Sequence, residues 1–181
     1  RVIVILIQRG EIEFMDPETT SLISQFILIL VLTTLNAFFA SAEMAIVSIN
    51  RNRMKILADT GNKKATLLMD LLEEPNKFLS TIQVGITLAG FFSSASAATG
   101  ISEVVGNFLS QIGIPYAQSI SLVVITLLLS YFTLVFGELV PKRIALQKSE
   151  QIAMLLVRPI VYISKLTKPF VKLLSLSTNL L

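Results

Sequence analysis

Two carboxylates stand where an apolar chain has little ordinary use for charge. Glu43 lies in Phe38-Phe39-Ala40-Ser41-Ala42-Glu43-Met44-Ala45, and Glu138 lies in Phe136-Gly137-Glu138-Leu139-Val140-Pro141-Lys142. An ionisable group in such surroundings is costly, so it either serves a function or pairs with a neighbouring base. Glu138 is four residues from Lys142, a favourable helical pairing if Pro141 permits it. Pro141 has no N–H, so the carbonyl of Gly137 loses its helical partner, and Gly137 itself weakens the helix. A free carbonyl beside a carboxylate in a dry setting suits a hard cation. A proline that merely ends a span is the plainer alternative.

Neutral oxygen donors are scattered nearby. Thr33, Thr34, Asn36, Ser41 and Ser48 surround Glu43, and Gln83 and Thr87 share a helical face at i, i+4. At about 100° per residue, Asn36 and Glu43 share a face while Ser41 lies about 160° from Glu43. A regular helix therefore cannot aim both Ser41 and Glu43 at one ion. The stretch from Gly85 to Ala98 is rich in Gly, Ala and Ser, which lets helices approach closely. The chain has no His and no Cys. That excludes a His-based triad, a thiol nucleophile, a disulfide framework and a Cys/His zinc site. No nucleophile–base pair is visible, so an enzyme is not expected.

The elements that must position these groups follow from composition. Of 181 residues, 53% are apolar and only 15% charged, and mean hydropathy is +0.74. A soluble domain carries about 25% charged residues, so this chain lacks the charge to coat a water-facing surface. Windows without formal charge run over 21–42, 78–102 and 116–137. Each exceeds the ~20 residues that cross a hydrocarbon core. The expected fold is an all-α membrane protein with three transmembrane helices, at about 21–47, 78–99 and 118–140. A turn is expected at Ile112-Gly113-Ile114-Pro115 and another at Asp59-Thr60-Gly61-Asn62, the latter followed by a short amphipathic helix over 65–72. Beyond the third span, about 144–178 reads as interfacial helices broken at Pro159 and Pro169; a fourth crossing is the rival, made costly by its lysines.

Basic residues orient the spans. Thirteen of the 15 Lys and Arg fall between the first two spans or after the third, while about 100–117 holds none. That places the basic side in the cytoplasm and the N-terminus outside. It also accounts for the net charge of +3 without nucleic acid. Residues 1–20 read as an outside extension. Met15 is a credible start, which would make 1–14 the product of a start codon set too early.

Three segments together resemble the membrane domain of the CorC/CNNM family (DUF21, hemolysin-C-like). They are residues 35–45 (LNAFFASAEMA), 81–88 (TIQVGITL) and 136–142 (FGELVPK). The resemblance covers about 20–181. It implies a homodimeric three-span domain with a juxtamembrane belt in the cell (inner) membrane, with lipid, a second copy and a divalent cation as partners. It further implies sodium-coupled export of Mg²⁺ as the transported ion, and a non-transporting scaffold or regulatory module as the alternative. Carried over by position, it points to Ser41, Gly137 and Glu138 as cation ligands, with a second-span ligand near Ile86 or Thr87 that Thr87 or Gln83 would supply; Glu43 joins the candidates on its own chemistry, as an acid inside the first span. One departure stands out: many transporting relatives have Asn directly after the second-span glycine, where this chain has Ile86. The pair of cytoplasmic CBS domains usual in the family lies outside these residues, so the chain is expected to be part of a longer protein.

Overall fold

A chain with this much apolar surface and no water to satisfy its backbone must satisfy it internally, and helices do so within one segment. The computed structural model describes residues 17–179; Met15 and the extension up to residue 16 lie outside the described residues, and 17–20 are the start of the first helix. The described residues form helices and turns with no strand. Helix α1 (Pro17–Val47) is the first span, α2 (Arg51–Asp59) and α3 (Lys63–Glu73) form a polar hairpin, and α4 (Pro75–Thr99) is the second span. A bend at Gly100 leads into α5 (Ile101–Gln111). The third span comprises α6 (Ala117–Leu134), a π-helical turn over Val135–Leu139, and α7 (Val140–Gln147). The last helix is α8 (Ser149–Asn179). Three stretches are long and apolar enough to cross a membrane: Leu22–Val47, Phe78–Gln111 and Ala117–Gln147.

Local chemistry sets the boundaries. The Asn50 side chain accepts from Arg53 N (3.1 Å) and caps α2, and Asn62 accepts from Lys64 N (3.0 Å) and Ala65 N (3.2 Å) to cap α3. Ala65, Leu68 and Leu72 recur on one face of α3 and are buried. Pro75 occupies the first turn of α4, where its missing N–H is harmless. Between α5 and α6, Gly113 adopts φ +84° and Tyr116 φ +57°, a left-handed path that glycine takes without strain.

Three expectations are revised. Residues 101–111, which the expected second and third spans leave between them without an element, are a helix, held to α6 by Ser121 Oγ donating to Ser102 O (2.6 Å) and Gln118 Nε2 donating to Asn107 Oδ1 (2.7 Å). The third span continues through Pro141 to Gln147. And α8 runs unbroken through Pro159 and Pro169. Each proline frees one carbonyl, and on a helix at an interface headgroups or water can take it up.

The packed core sits at one end of the spans. Ala42, Ala45, Ile46 and Ile49 of α1 meet Met54, Leu68, Phe78, Ile82, Ala145, Val157 and Ile160. This layer joins every described helix that carries basic residues. The spans themselves are thinly covered: Phe26, Phe91, Leu127 and Tyr131 are all exposed. Such a surface is matched to lipid or to another helix, not to water.

Candidate cation site

The face of α1 that carries Thr33, Asn36 and Glu43 lies against the π-helical turn, and Gly137 makes the approach close. A methyl group on Gly137 would stand 3.3 Å from Asn36 Cβ and 3.4 Å from both Thr33 Cγ2 and Thr33 O. The turn has a local cause. With no N–H at Pro141, neither Gly137 nor Phe136 can receive the usual bond from that position. Val140 N instead donates to Val135 O, one residue further back than in an α-helix. Such π-helical insertions recur at functional sites because they turn carbonyls and side chains off the regular register.

Thr33 is buried, and its hydroxyl donates to Ile29 O at 2.7 Å. Asn36 is different. Its Oδ1 is sealed from solvent and has no hydrogen-bond partner among the described residues. A buried polar atom in that state costs about 1–3 kcal/mol. It is an acceptor without a donor, beside the residue whose carbonyl Pro141 leaves without its helical partner.

Toward the core, the two carboxylates meet on one ammonium group. Lys142 Nζ donates to Glu138 Oε1 at 2.8 Å and lies 3.2 Å from Glu43 Oε2. The second contact is an ion pair outside hydrogen-bond geometry, and Glu43 Oε2 is itself sealed from solvent. The three side chains are between 28% and 33% exposed. Ion pairs this open are worth about 0–1 kcal/mol, so the clamp is one that another cation can take over. Two acids and one base leave the cluster one negative charge in excess, which also favours a divalent ion.

Glu43, Gly137 and Glu138 are therefore gathered along one seam between α1 and the third span. Ser41 is half-buried on the other side of α1. Gln83 and Thr87 are exposed on α4, whereas Ile86 packs against the core and Gly85 lies under the ring of Phe39. Asn36 and Glu43 are seven residues apart, about 10 Å of helical rise, so the seam offers donors at two depths. Among the described residues no group of three or more acids, His or Cys could hold a metal. A cation here would rest on two carboxylates and neutral oxygens. Sequence reasoning paired Glu138 with Lys142 through their spacing; the contact of Lys142 with Glu43 joins segments a hundred residues apart and has no local signal.

Residues 26–181 match the family described as Cyclin M transmembrane N-terminal domain, CNNM. The UPF0053 protein sll0260 of Synechocystis sp. is 41% identical over 153 residues, covering 83% of this chain and 34% of that protein. Two proteins of Bacillus subtilis are similarly related: UPF0053 protein YhdP is 32% identical over 161 residues (88% of this chain, 36% of that protein), and YhdT is 34% identical over 161 residues (88% and 35%). The chain spans about a third of the length of these relatives. With three membrane-crossing stretches and a family match over most of its length, the chain belongs to the CNNM family of Cyclin M transmembrane N-terminal domains and is a multi-pass membrane protein.

Proposed function

We propose that this chain is the membrane domain of a divalent-cation transporter, with Mg²⁺ as cargo and sodium-coupled efflux as its direction, and that it is not an enzyme. One observation carries the reading: carboxylates from two different spans, Glu43 and Glu138, converge on a single positive charge beside a π-helical turn. In this account Lys142 is a tethered stand-in for the transported ion. When Mg²⁺ arrives, the lysine withdraws toward the basic side, as long cationic side chains readily do. Two carboxylates then balance the divalent charge. Mg²⁺ demands oxygen ligands at 2.0–2.1 Å in octahedral array and parts with water reluctantly. The carbonyl of Gly137 and the carboxamide oxygen of Asn36 supply neutral donors further along the seam, and retained water completes the shell. Ser41 contributes only if α1 rotates.

The protein is proposed to act as a homodimer in the cell (inner) membrane, its basic face cytoplasmic and its N-terminus outside. Gln83 and Thr87 are exposed on the single chain and face away from the seam, so neither is given a part in holding the ion.

A scaffold or regulatory module without transport is the rival. Ile86 favours it, because an aliphatic side chain on the inward face of α4 offers no ligand. The test is Mg²⁺ flux from proteoliposomes that hold the wild-type chain or Glu138→Ala. Flux that disappears in a variant with unchanged circular dichroism and elution supports transport through this site. Equal flux in both removes Glu138 from the mechanism, and no flux in the wild type supports the scaffold.

A further inference from the structure

We propose that the groove between the start of α4 and the middle of α8 binds an anionic phospholipid through its phosphate. Two adjoining cavities lie there, of about 330 and 380 Å³, and both are walled by Ser164 and Lys168. Their charges are sorted. The smaller is lined by Asp70 and Glu74 together with Lys165 and Lys168, and Lys168 is the cation that the two cavities share. The larger is lined by Lys168 and Lys172 with Asn76, Ser80 and Ser164, and among the described residues no carboxylate lines it.

Lys168 and Lys172 are four residues apart, so both ammonium groups rise from one face of α8. The floor below them is apolar, from Val171 in one cavity and Phe78 and Val161 in the other. Ser80 Oγ donates to Asn76 O at 2.7 Å, so Ser80 is committed to its own helix. The donors left for an oxyanion are the two lysines, the Asn76 amide and the Ser164 hydroxyl. No side chain caps the N-terminus of α4 at this point, which adds a favourable local field for negative charge.

The depth of the groove selects a lipid over a soluble anion. Phe78 begins the second membrane-crossing stretch, so Asn76 and Ser80 lie at the boundary between hydrocarbon and water. On α8, Tyr162, Leu166, Phe170 and Leu173 form an exposed apolar stripe at i, i+4, i+8 and i+11. The lysine row is turned roughly 90° or more from it on the wheel. A helix with that division lies in the membrane interface, its apolar stripe in the acyl region and its lysines at headgroup level. A phosphodiester at Lys168 and Lys172 would have its acyl chains beside that stripe. The inference holds whether or not the chain transports a cation.

The experiment is native mass spectrometry of the full chain released from nanodiscs of phosphatidylcholine and phosphatidylglycerol mixed three to one. The wild type is expected to retain phosphatidylglycerol selectively. Taking each lysine near an anionic surface as worth about fivefold, Lys168→Gln with Lys172→Gln lowers retention about 25-fold. Arg51→Gln with Lys55→Gln removes equal charge from exposed positions on the same side and leaves retention nearly unchanged. Ser164→Trp, which fills the shared wall and keeps every charge, also lowers it. Equal losses in the two charge pairs, no preference for phosphatidylglycerol over phosphatidylcholine, or unaltered retention in Ser164→Trp would overturn the proposal. So would inorganic phosphate bound by the detergent-purified chain, measured by titration calorimetry, if no phosphatidylglycerol is retained.

Discussion

Helices α1 and α4 are both apolar spans sprinkled with polar residues, yet they use them in opposite ways. On α1, Thr33 and Asn36 pack against Gly137, and Glu43 meets Lys142. On α4, Gln83 and Thr87 face outward while Ile82, Ile86, Ala89 and Ser93 turn inward. Composition does not distinguish the two. What distinguishes them is the angle between each polar residue and the neighbouring helix, which the packing of small residues decides: Gly137 admits α1, and Gly85 admits the Phe39 ring. The lesson is that a polar residue in a span acquires a role from the face it shares: the carboxylate seam belongs to α1, while α4 turns the hydroxyls of Thr81 and Ser93 inward.

The comparison can be broken most severely at the carboxylates. Glu138→Gln, which keeps shape and removes charge, is expected to weaken Mn²⁺ binding about hundredfold in a calorimetric titration, since even residues behind a metal's ligands are worth about 10–100-fold in affinity. Lys142→Gln should act in the other direction. It removes the competing ammonium, and because so open a pair is worth little more than about 1 kcal/mol, Mn²⁺ affinity should rise about fivefold. If it falls instead, the lysine supports the site and does not stand in for the ion. Gly137→Ala pushes the π-helical turn off α1 by a few tenths of an ångström. The expected destabilisation is about 1 kcal/mol, seen as a drop of roughly 3 °C in the melting temperature in detergent. The smallest effect belongs to α4. Gln83→Ala and Thr87→Ala should alter stability by less than about 0.5 kcal/mol and leave flux unchanged. A marked loss at either would mean that the outward face of α4 is covered in the assembled protein, and the contrast between the helices would shrink.

Much of this arrangement was legible beforehand, for identifiable reasons. Charge-free windows announce spans because a bilayer punishes charge along its whole depth. The turn over 59–62 was expected from its residue types, whereas the caps that Asn50 and Asn62 supply to the helices after them came from the structure. Glu138, Gly137 and Pro141 were conspicuous as a disruption, though the spacing could not tell a span-ending proline from a π-helical turn that lets the helix continue. The helix over 101–111 escaped notice because its stability comes from α6: the Ser121 bond to Ser102 O and the seating of Gln118 beside Gly106 are tertiary contacts. The unbroken course of α8 was hidden for a similar reason. Proline propensity argues for breaks at 159 and 169, and packing of Val157 and Ile160 around the first and burial of Val171 beside the second override it. The shared lysine depends on where α1 and α7 come to rest, a relation that no window of the sequence contains.

The central claim is that Glu43 and Glu138 form one cation site across two spans, and electron paramagnetic resonance of Mn²⁺ added to the purified chain tests it most directly. The account predicts one bound Mn²⁺ per chain in the wild type, with Glu43→Gln, Glu138→Gln and the double variant each losing nearly all of it, so that the second substitution adds little to the first. Undiminished Mn²⁺ binding in the double variant would contradict it.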